Sequence, residues 1–181
     1  IEVDGKEIPL LDGSAIQWVK AFEEVGIKKV PKPSNFMSEL NQSKIFNQND
    51  SVISLIPSNQ ITIISTINFK YAAIGVQTFT IELNPRDYVE MIAPARTFGF
   101  KDQFEELNDL GLIKGGNLEN ALVCDGDKWV NPPLRFANEP IRHKILDLIG
   151  DLALVGLPKA QIMVYKGSHS LNALLASSLK S

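Results

Sequence analysis

Apolar and polar positions alternate with two different periods along the chain, and each period predicts one kind of element. Between residues 51 and 83, three segments alternate or run apolar with many β-branched residues, which predicts three strands joined by turns. Apolar residues three and four apart predict one helix after Asp12-Gly13-Ser14, closed by Gly26, and a second from Pro140 to about Gly156. The other predicted elements are a hairpin about Asp4-Gly5, a short helix from Pro85 toward Ile92, a helix over residues 101–110, a hairpin about Asp125-Gly126, a strand over residues 160–167 and a helix over residues 168–180.

A change in composition divides the chain. Lysine, proline, serine, asparagine and glutamine dominate residues 31–50, and this stretch is predicted to be a linker. The hairpin and helix of residues 1–30 would then be the tail of one domain, and residues 51–181 a second domain. The chain also opens in strand alternation without a methionine, which suggests that it begins inside a longer protein. Because helices and strands do not alternate strictly, the predicted fold class is α+β, a two-layer sandwich of sheet and helices.

The balance of residue types excludes several classes of protein. With 181 residues, 44% hydrophobic and 22% charged, the chain can bury a core and has the composition of a globular protein. Its net charge of -3 disfavours general affinity for nucleic acid, although a local basic site for one anionic ligand stays open. The single cysteine, Cys124, cannot form an internal disulfide and is expected in the core. No apolar run approaches the roughly 18 residues of a membrane span, so a transmembrane segment is not expected.

Polar residues share one face of the second predicted helix, in the segment IRHKILDLIGD. At about 100° per residue, His143, Asp147 and Asp151 fall within a sector of about 80°. They are either the solvated face of an amphipathic helix or part of a site. A histidine and an aspartate four apart can bind one zinc ion together, but a catalytic zinc usually has three protein ligands, and no third is evident. Gly150 favours a site, because a glycine inside a helix costs about 1 kcal/mol relative to alanine unless another group approaches closely.

His169 lies between a predicted strand and a predicted helix, where catalytic groups are often displayed. It is either such a group or no more than an exposed imidazole beside a helix cap. The segment ARTFGF, residues 95–100, places a cation and a hydroxyl beside two aromatic residues. Taken alone, this segment predicts a packed turn.

Five segments together resemble one known family. ARTFGF, GLIKGGNLENALV, LRFANEPIRHKILDLIGDL and YKGSHSLN occur in the order and approximate spacing of the UDP-3-O-acyl-N-acetylglucosamine deacetylase, a zinc hydrolase that commits material to lipid A synthesis. The N-terminal IEVDGKEIPLLDGSAIQWVKAFEEVGI is similar to the end of that family's first domain. The resemblance implies a partial first domain and a complete second domain, with a βαβ-like insert that forms a passage for an acyl chain. It also implies an enzyme of the bacterial cytoplasm, monomeric when complete, that acts on a UDP-activated acylated amino sugar and not on nucleic acid.

The resemblance assigns roles to five residues of a zinc-dependent site. His143 and Asp147 match two zinc ligands, and His169 matches the histidine that protonates the leaving amine. Asp151 matches an acid beside that imidazole, which favours its charged form, and Thr97 matches a hydroxyl that helps to hold the developing oxyanion. Zinc would activate a water molecule and polarise the acetamide carbonyl, so that hydrolysis releases the amine and acetate.

The resemblance also assigns residues to the substrate. Lys144 matches a basic residue near the phosphates, and Phe69 matches an aromatic residue that contacts the nucleotide. The insert from about residue 98 to residue 123 matches the acyl passage. Its lining would include Phe98, Phe104, Leu118 and Val123.

Some features of the family are not in these 181 residues. The remaining zinc histidine and the general-base glutamate belong to a motif upstream of Ile1. The chain is therefore expected to be N-terminally truncated, to bind zinc weakly and to be inactive alone. Other departures are Asn68 for an aspartate, Lys70-Tyr71-Ala72 for Asn-His-Pro, and Gln103 for an acid that is shifted to Asp102.

Two functions of other classes stay open. One is a catalytically silent module that keeps the fold and binds an acyl chain or a nucleotide without metal. The other is RNA binding, which rests on fold analogy because similar α+β layers occur in ribosomal domains. The acidic net charge and the lack of a basic, aromatic strand patch disfavour RNA binding.

Overall fold

A five-stranded sheet forms one layer of the fold. The structure is a computed structural model that describes residues 2–5, 8–28, 40–103, 118–131 and 133–179. The strands of this sheet are β1 (Lys44–Gln48), β2 (Ser51–Pro57), β3 (Thr62–Asn68), β4 (Val76–Glu82) and β8 (Ala160–Tyr165). Their order across the sheet is β1-β2-β8-β3-β4. Strands β3 and β8 are parallel, and the other neighbouring pairs are antiparallel.

Helices cover one face of this sheet. Those that pack on it are α3 (Glu139–Ala153) and α4 (His169–Leu179), and the π-helical turn Tyr88–Ile92 that continues α2 (Pro85–Asp87) adds to the same core. A further helix, α1 (Ile16–Val25), has no buried residue. The core contains alternate residues of the central strands together with apolar residues of α3 and α4: Ile53, Leu55, Ile63, Ile162, Val164, Ile145, Leu148, Leu152, Leu171 and Leu175. A period of two in β-branched strands and a period near 3.6 in the helices bring these residues to one interface. The predicted α+β, two-layer architecture is confirmed. None of the described helices has both the length and the apolar composition needed to cross a membrane.

A second, smaller sheet contains β5 (Phe98–Phe100), β6 (Leu122–Asp125) and β7 (Lys128–Trp129). Strands β5 and β6 are parallel, as the prediction of a βαβ-like insert requires. Strands β6 and β7 form the predicted hairpin about Asp125-Gly126. The predicted packed turn at residues 95–100 is wrong for β5, whose backbone pairs with β6. Residues 101–103 are helical, and the rest of the helix predicted over 101–110 lies outside the described residues.

The predicted hairpin about Asp4-Gly5 is wrong for the residues that the structure describes. Residues 2–5 and 8–11 contain no strand. Val3 is 39% exposed and Ile8 is 67% exposed, so these apolar side chains do not pack on a layer beneath them. A two-stranded hairpin is marginal in water without such packing.

The predicted linker is wrong for residues 44–48, which form strand β1. Phe46 packs against the main core, and the backbone of the whole strand pairs with β2. The Nζ atom of Lys44 also donates to the carbonyl oxygen of Ser178, 2.8 Å away. Polar residues suit this strand because it lies at the sheet edge, where one side faces solvent. The division into two domains stays a prediction.

Gly150 lies inside α3 with open space around it. A Cβ atom built there meets nothing within 4 Å, so the predicted close approach to this glycine is wrong among the described residues. We expect Gly150→Ala to raise the free energy of unfolding by about 0.5–1 kcal/mol, because alanine loses less backbone entropy in a helix. Urea unfolding followed by circular dichroism measures the change. Gly26→Ala is the matched control, since Gly26 has a φ of +77° and alanine there should destabilise by about 1 kcal/mol. Stabilisation by both substitutions would contradict this explanation.

Candidate metal and acid-base site

His143 and Asp147 meet on the face of α3 that lies opposite its core residues Ile145 and Leu152. The Nε2 atom of His143 lies 3.3 Å from Oδ1 of Asp147, as expected for side chains four residues apart on a helix. His143 is only 8% exposed, and the Asp147 side chain is 13% exposed. These two residues therefore do not belong to a solvated face, and that interpretation of the polar stripe is wrong for them.

The surroundings of His143 favour a neutral imidazole that presents Nε2. Its Nδ1 atom lies 3.0 Å from the carbonyl oxygen of Ala95, which can only accept, so Nδ1 donates and Nε2 keeps its lone pair. Burial lowers the pKa of His143 and outweighs the opposing effect of Asp147. A neutral imidazole nitrogen beside a carboxylate oxygen is a donor set that zinc accepts. The geometry of these two side chains therefore fits two ligands of a zinc site.

Lys144, like His143, contacts the carboxylate of Asp147. Its Nζ atom lies 2.8 Å from Oδ2 of Asp147, and its side chain is 15% exposed. The lysine neutralises a half-buried acid that would otherwise be costly to desolvate. The predicted phosphate contact of Lys144 stays a prediction, and a second anion would have to compete with Asp147 for this ammonium group.

His169 reaches α3 from the start of α4. Its Nδ1 atom lies 2.8 Å from Oδ2 of Asp151, and its Nε2 atom lies 3.8 Å from Oδ2 of Asp147. The packing of α3 against α4 brings these residues together, although 18 positions separate Asp151 from His169 in the chain. The His169 side chain is 68% exposed, so Nε2 faces the region where a ligand of Asp147 would lie. One Nδ1 hydrogen bond to a carboxylate with Nε2 left accessible is an arrangement suited to proton transfer.

Thr97 lies in the same cleft as His143 and Asp147. This cleft has a volume of about 380 Å³, and residues 8–10 and 13–15 form its other wall. The backbone N–H of Thr97 donates to the carbonyl oxygen of Gly13, 2.7 Å away. Gly13 has a φ of +78°, and a Cβ atom there would lie 2.1 Å from the carbonyl oxygen of Asn120. Only glycine allows this close approach, which holds the N-terminal segment against the candidate site.

The predicted substrate residues fall into separate environments. Phe69 and Phe98 pack edge to face with ring centroids 5.6 Å apart, and Phe98 lies 6.4 Å from the ring of His143. Leu118 is 54% exposed, whereas Val123 is buried in β6. Phe104 lies outside the described residues. An aromatic surface therefore adjoins the candidate metal ligands, while the acyl passage stays a prediction.

Tyr71 and Asp102 contact each other, and both stand where the resemblance predicts departures from the family pattern. The Tyr71 hydroxyl donates to Oδ2 of Asp102 at 2.6 Å, and this hydrogen bond raises the pKa of Tyr71 to about 12. The Tyr71 ring also stacks on Phe100 with centroids 4.2 Å apart. These two residues thus join the loop after β3 to the residues that follow β5.

A buried ion pair that the sequence did not predict lies behind the site. Glu139 is fully buried and accepts four hydrogen bonds, three from the backbone N–H and guanidinium of Arg96 and one from the backbone N–H of Arg135. Burial alone would raise the pKa of Glu139, but the hydrogen bonds from Arg96 and Arg135 outweigh it and hold the pKa below its ordinary value. Arg96 separates Ala95 from Thr97, so this pair fixes the backbone that contacts His143.

The same network holds the N-terminal segment. The guanidinium of Arg135 donates to Oδ2 of Asp12 at 2.6 Å, to Oγ of Ser14 at 3.2 Å and to the carbonyl oxygen of Pro94 at 2.9 Å. The sequence signal for these contacts was weak. Arg96 stands inside ARTFGF and Glu139 begins the helix of His143, but spacing alone does not pair residues 43 positions apart.

Comparison with known proteins gives a consistent result along the chain. The family model described as UDP-3-O-acyl N-acetylglycosamine deacetylase matches residues 1–181. A UDP-3-O-acyl-N-acetylglucosamine deacetylase of Nostoc sp. is 49% identical over 97% of this chain and 65% of its own length. The protein of the same name from Synechocystis sp. is 46% identical over 99% of this chain and 66% of its length, and that of Nautilia profundicola is 41% identical over 99% and 61%. The chain spans about two thirds or slightly less of these relatives.

Proposed function

The chain belongs to the UDP-3-O-acyl N-acetylglycosamine deacetylase family, and we propose that it takes part in zinc-dependent removal of the N-acetyl group from UDP-3-O-(3-hydroxyacyl)-N-acetylglucosamine. Hydrolysis would release acetate and commit the sugar to lipid A biosynthesis in the bacterial cytoplasm, with the complete protein acting as a monomer. One observation carries the proposal. His143 and Asp147 offer adjacent metal ligands, and the Asp151–His169 pair lies against the same carboxylate.

Zinc is the proposed cofactor, and His143 and Asp147 are two of its ligands. When bound, zinc would polarise the acetamide carbonyl and make a coordinated water molecule more acidic. Among the described residues, no group of three or more histidine, cysteine, aspartate or glutamate side chains could hold a metal ion. The sequence has two histidines, and His169 is assigned to proton transfer. As the family resemblance implies, we infer that the third ligand and the general base come from outside these 181 residues, and that the chain alone binds zinc weakly and turns over slowly.

The residues of this chain would bind, orient and protonate the substrate. His169 would carry a proton at Nε2 to the leaving amine, because Nδ1 is held by Asp151. Thr97 lines the cleft and has a hydroxyl that could donate to an oxygen developing negative charge. Lys144 would attract the phosphates, and the aromatic surface of Phe69 and Phe98 would contact the nucleotide and the start of the acyl chain.

A catalytically silent binding module is the second candidate. The observation that favours it is the 2.8 Å contact between Lys144 and Asp147, which satisfies the carboxylate without a metal. The Asn68 and Tyr71 departures are also compatible with an altered ligand. This candidate requires that the fold and the cleft be kept while zinc is never bound.

Zinc binding and acetate release test the proposed function together. We expect the 181-residue chain to bind zinc more than about 100-fold more weakly than a version extended to the length of its relatives, since even the loss of a supporting contact costs about 10–100-fold. Calorimetric titration measures the binding, and enzymatic detection of acetate measures the hydrolysis. His143→Ala should remove zinc from the extended form, because it removes an imidazole ligand.

Asp151→Asn is the matched control, since this residue lies one turn along the same helix and has no assigned zinc contact. It should keep the zinc affinity of the parent. Full hydrolysis by the 181-residue chain would contradict the inference about the missing ligand. Failure of both forms to bind zinc would favour the silent module.

A further inference from the structure

Asn172 lies next to the acid-base pair, in the first turns of α4. It is 2% exposed, and its backbone N–H donates to the carbonyl oxygen of Ser168 at 2.9 Å. Its Nδ2 atom donates to Oδ2 of Asp151, 2.9 Å away. The same Oδ2 atom accepts from Nδ1 of His169 at 2.8 Å. One carboxylate oxygen therefore accepts hydrogen bonds from both a buried amide and an exposed imidazole.

The orientation of the Asn172 amide follows from the chemistry of its partner. An ionised carboxylate only accepts hydrogen bonds, so the amide must turn its NH2 group toward Asp151. The Oδ1 atom then points into the interior, where it has no hydrogen-bond partner among the described residues. A buried acceptor without a partner costs stability, and an apolar side chain at this position would not incur that cost. The hydrogen bond from Asn172 to Asp151 thus offsets the cost of burying the Asn172 Oδ1 atom.

We propose that Asn172 is a positioning residue that fixes the Asp151 carboxylate and, through it, the ring of His169. The His169 side chain is 68% exposed and the Asp151 side chain is 27% exposed, so the imidazole lies mainly in solvent. Asn172 connects this exposed pair to the buried interface of α3 and α4. Without this amide, the Asp151 carboxylate is free to rotate toward solvent. The role in catalysis rests on the proposed function, but the restraint on His169 does not.

Helix packing is the other role that this position could serve. Leu148, Leu171 and Leu175 already join α3 to α4 in the main apolar core. If Asn172 served only packing, a leucine there would keep both the fold and the His169 ring in place. The two roles therefore differ in what happens to His169, and not in whether the chain folds.

Nuclear magnetic resonance of the histidine side chains tests the restraint. In Asn172→Leu, we expect the Nδ1 proton of His169 to exchange with water at least about tenfold faster, because its acceptor has lost a neighbour that holds it. The thermal midpoint should change by less than about 5 °C, since the lost hydrogen bond is offset by removal of the buried oxygen. Asn172→Ala provides a second variant if the leucine does not fit.

Ser177→Ala is the control on the same helix, because the Ser177 hydroxyl donates only to the carbonyl oxygen of Ala173. It should leave the His169 proton unchanged. If both Asn172 variants fold and keep the parent exchange rate, the proposal is wrong. It is also wrong if Ser177→Ala accelerates exchange as much as they do.

Kinetic measurement separates this inference from the proposed function. In a form that hydrolyses the substrate, Asn172→Leu should lower kcat about tenfold and leave KM within about twofold, since the proton donor is misplaced but the binding surface is intact. Faster His169 exchange in a protein that never releases acetate would refute the proposed function and keep the restraint. Acetate release by Asn172→Leu, with unchanged His169 exchange and unchanged kcat, would support the proposed function and refute the restraint.

Discussion

Replacement of Glu139 by alanine is expected to lower the free energy of unfolding by about 3–5 kcal/mol, because it leaves a desolvated guanidinium without its partner. The Glu139 side chain is fully buried, and the Arg96 side chain is 17% exposed. The substitution also removes the acceptor of the backbone N–H groups of Arg96 and Arg135. Unpaired buried donors add to the cost of the lost ion pair. Denaturant unfolding followed by circular dichroism measures the loss.

An exposed ion pair in the same chain is the natural control. Arg86 and Glu90 are joined by a 3.0 Å contact, with side chains 80% and 55% exposed. Glu90→Ala should therefore cost no more than about 0.5 kcal/mol. The double substitution R96M/E139L should recover part of the loss, since it replaces both charges with apolar groups. If Glu139→Ala costs no more than Glu90→Ala, the buried pair does not stabilise the fold.

The contribution of Glu139 should also depend on pH in a definite direction. Its folded pKa lies below the ordinary value of 4.5 that applies when the chain is unfolded. The unfolded state then binds more protons between these two values, so stability decreases as the pH falls below 4.5 through the folded pKa. Above that window the contribution is complete. Glu139→Gln should flatten this part of the profile while the acid dependence from other carboxylates remains.

Loss of this ion pair would also reach the candidate site. Arg96 lies between Ala95, whose carbonyl oxygen accepts from His143, and Thr97, which lines the cleft. A loosened backbone at Arg96 would remove the carbonyl partner that keeps the His143 proton on Nδ1 and the lone pair on Nε2. We therefore expect Glu139→Ala to weaken zinc binding even at temperatures where the chain stays folded. If zinc binds as proposed, Glu139 would couple stability to metal affinity without contacting either candidate ligand side chain.

The strands and helices that the sequence predicted well are those whose own residues carry the pattern. Strands β2, β3 and β4 alternate β-branched residues, and α3 has a full apolar stripe, so neighbours along the chain were sufficient evidence. Strand β1 is polar at Asn47 and Gln48, and only its pairing with β2 makes it a strand. The Asp4-Gly5 segment shows the converse, since a good turn sequence without a layer to pack on does not form strands in residues 2–5 and 8–11.

The residues of the candidate site also differ in how far the sequence alone could predict them. His143 and Asp147 follow from helix geometry, because residues four apart on a helix must share a face. The contact of Asp151 with His169 needed the family resemblance, since it depends on how two helices pack. The Arg96–Glu139 pair was not predictable from charge alone, because 18 basic and 21 acidic residues allow many pairings. Nothing in the sequence indicated a role for Asn172, because an asparagine in an apolar helix is usually expected to be exposed.

Replacement of His169 by glutamine is expected to lower kcat by about 10²–10⁴-fold in whichever form hydrolyses the substrate. An amine leaves poorly without a proton, and His169 is the one imidazole in this sequence not assigned as a metal ligand. Its Nε2 atom lies 3.8 Å from Asp147, so zinc affinity should stay within about threefold of the parent. His143→Gln is the matched comparison, because it should lose both zinc and activity. Steady-state kinetics measures kcat, and metal analysis measures the bound zinc. Retention of kcat in His169→Gln would exclude this residue as the proton donor, and loss of zinc would make it a ligand instead.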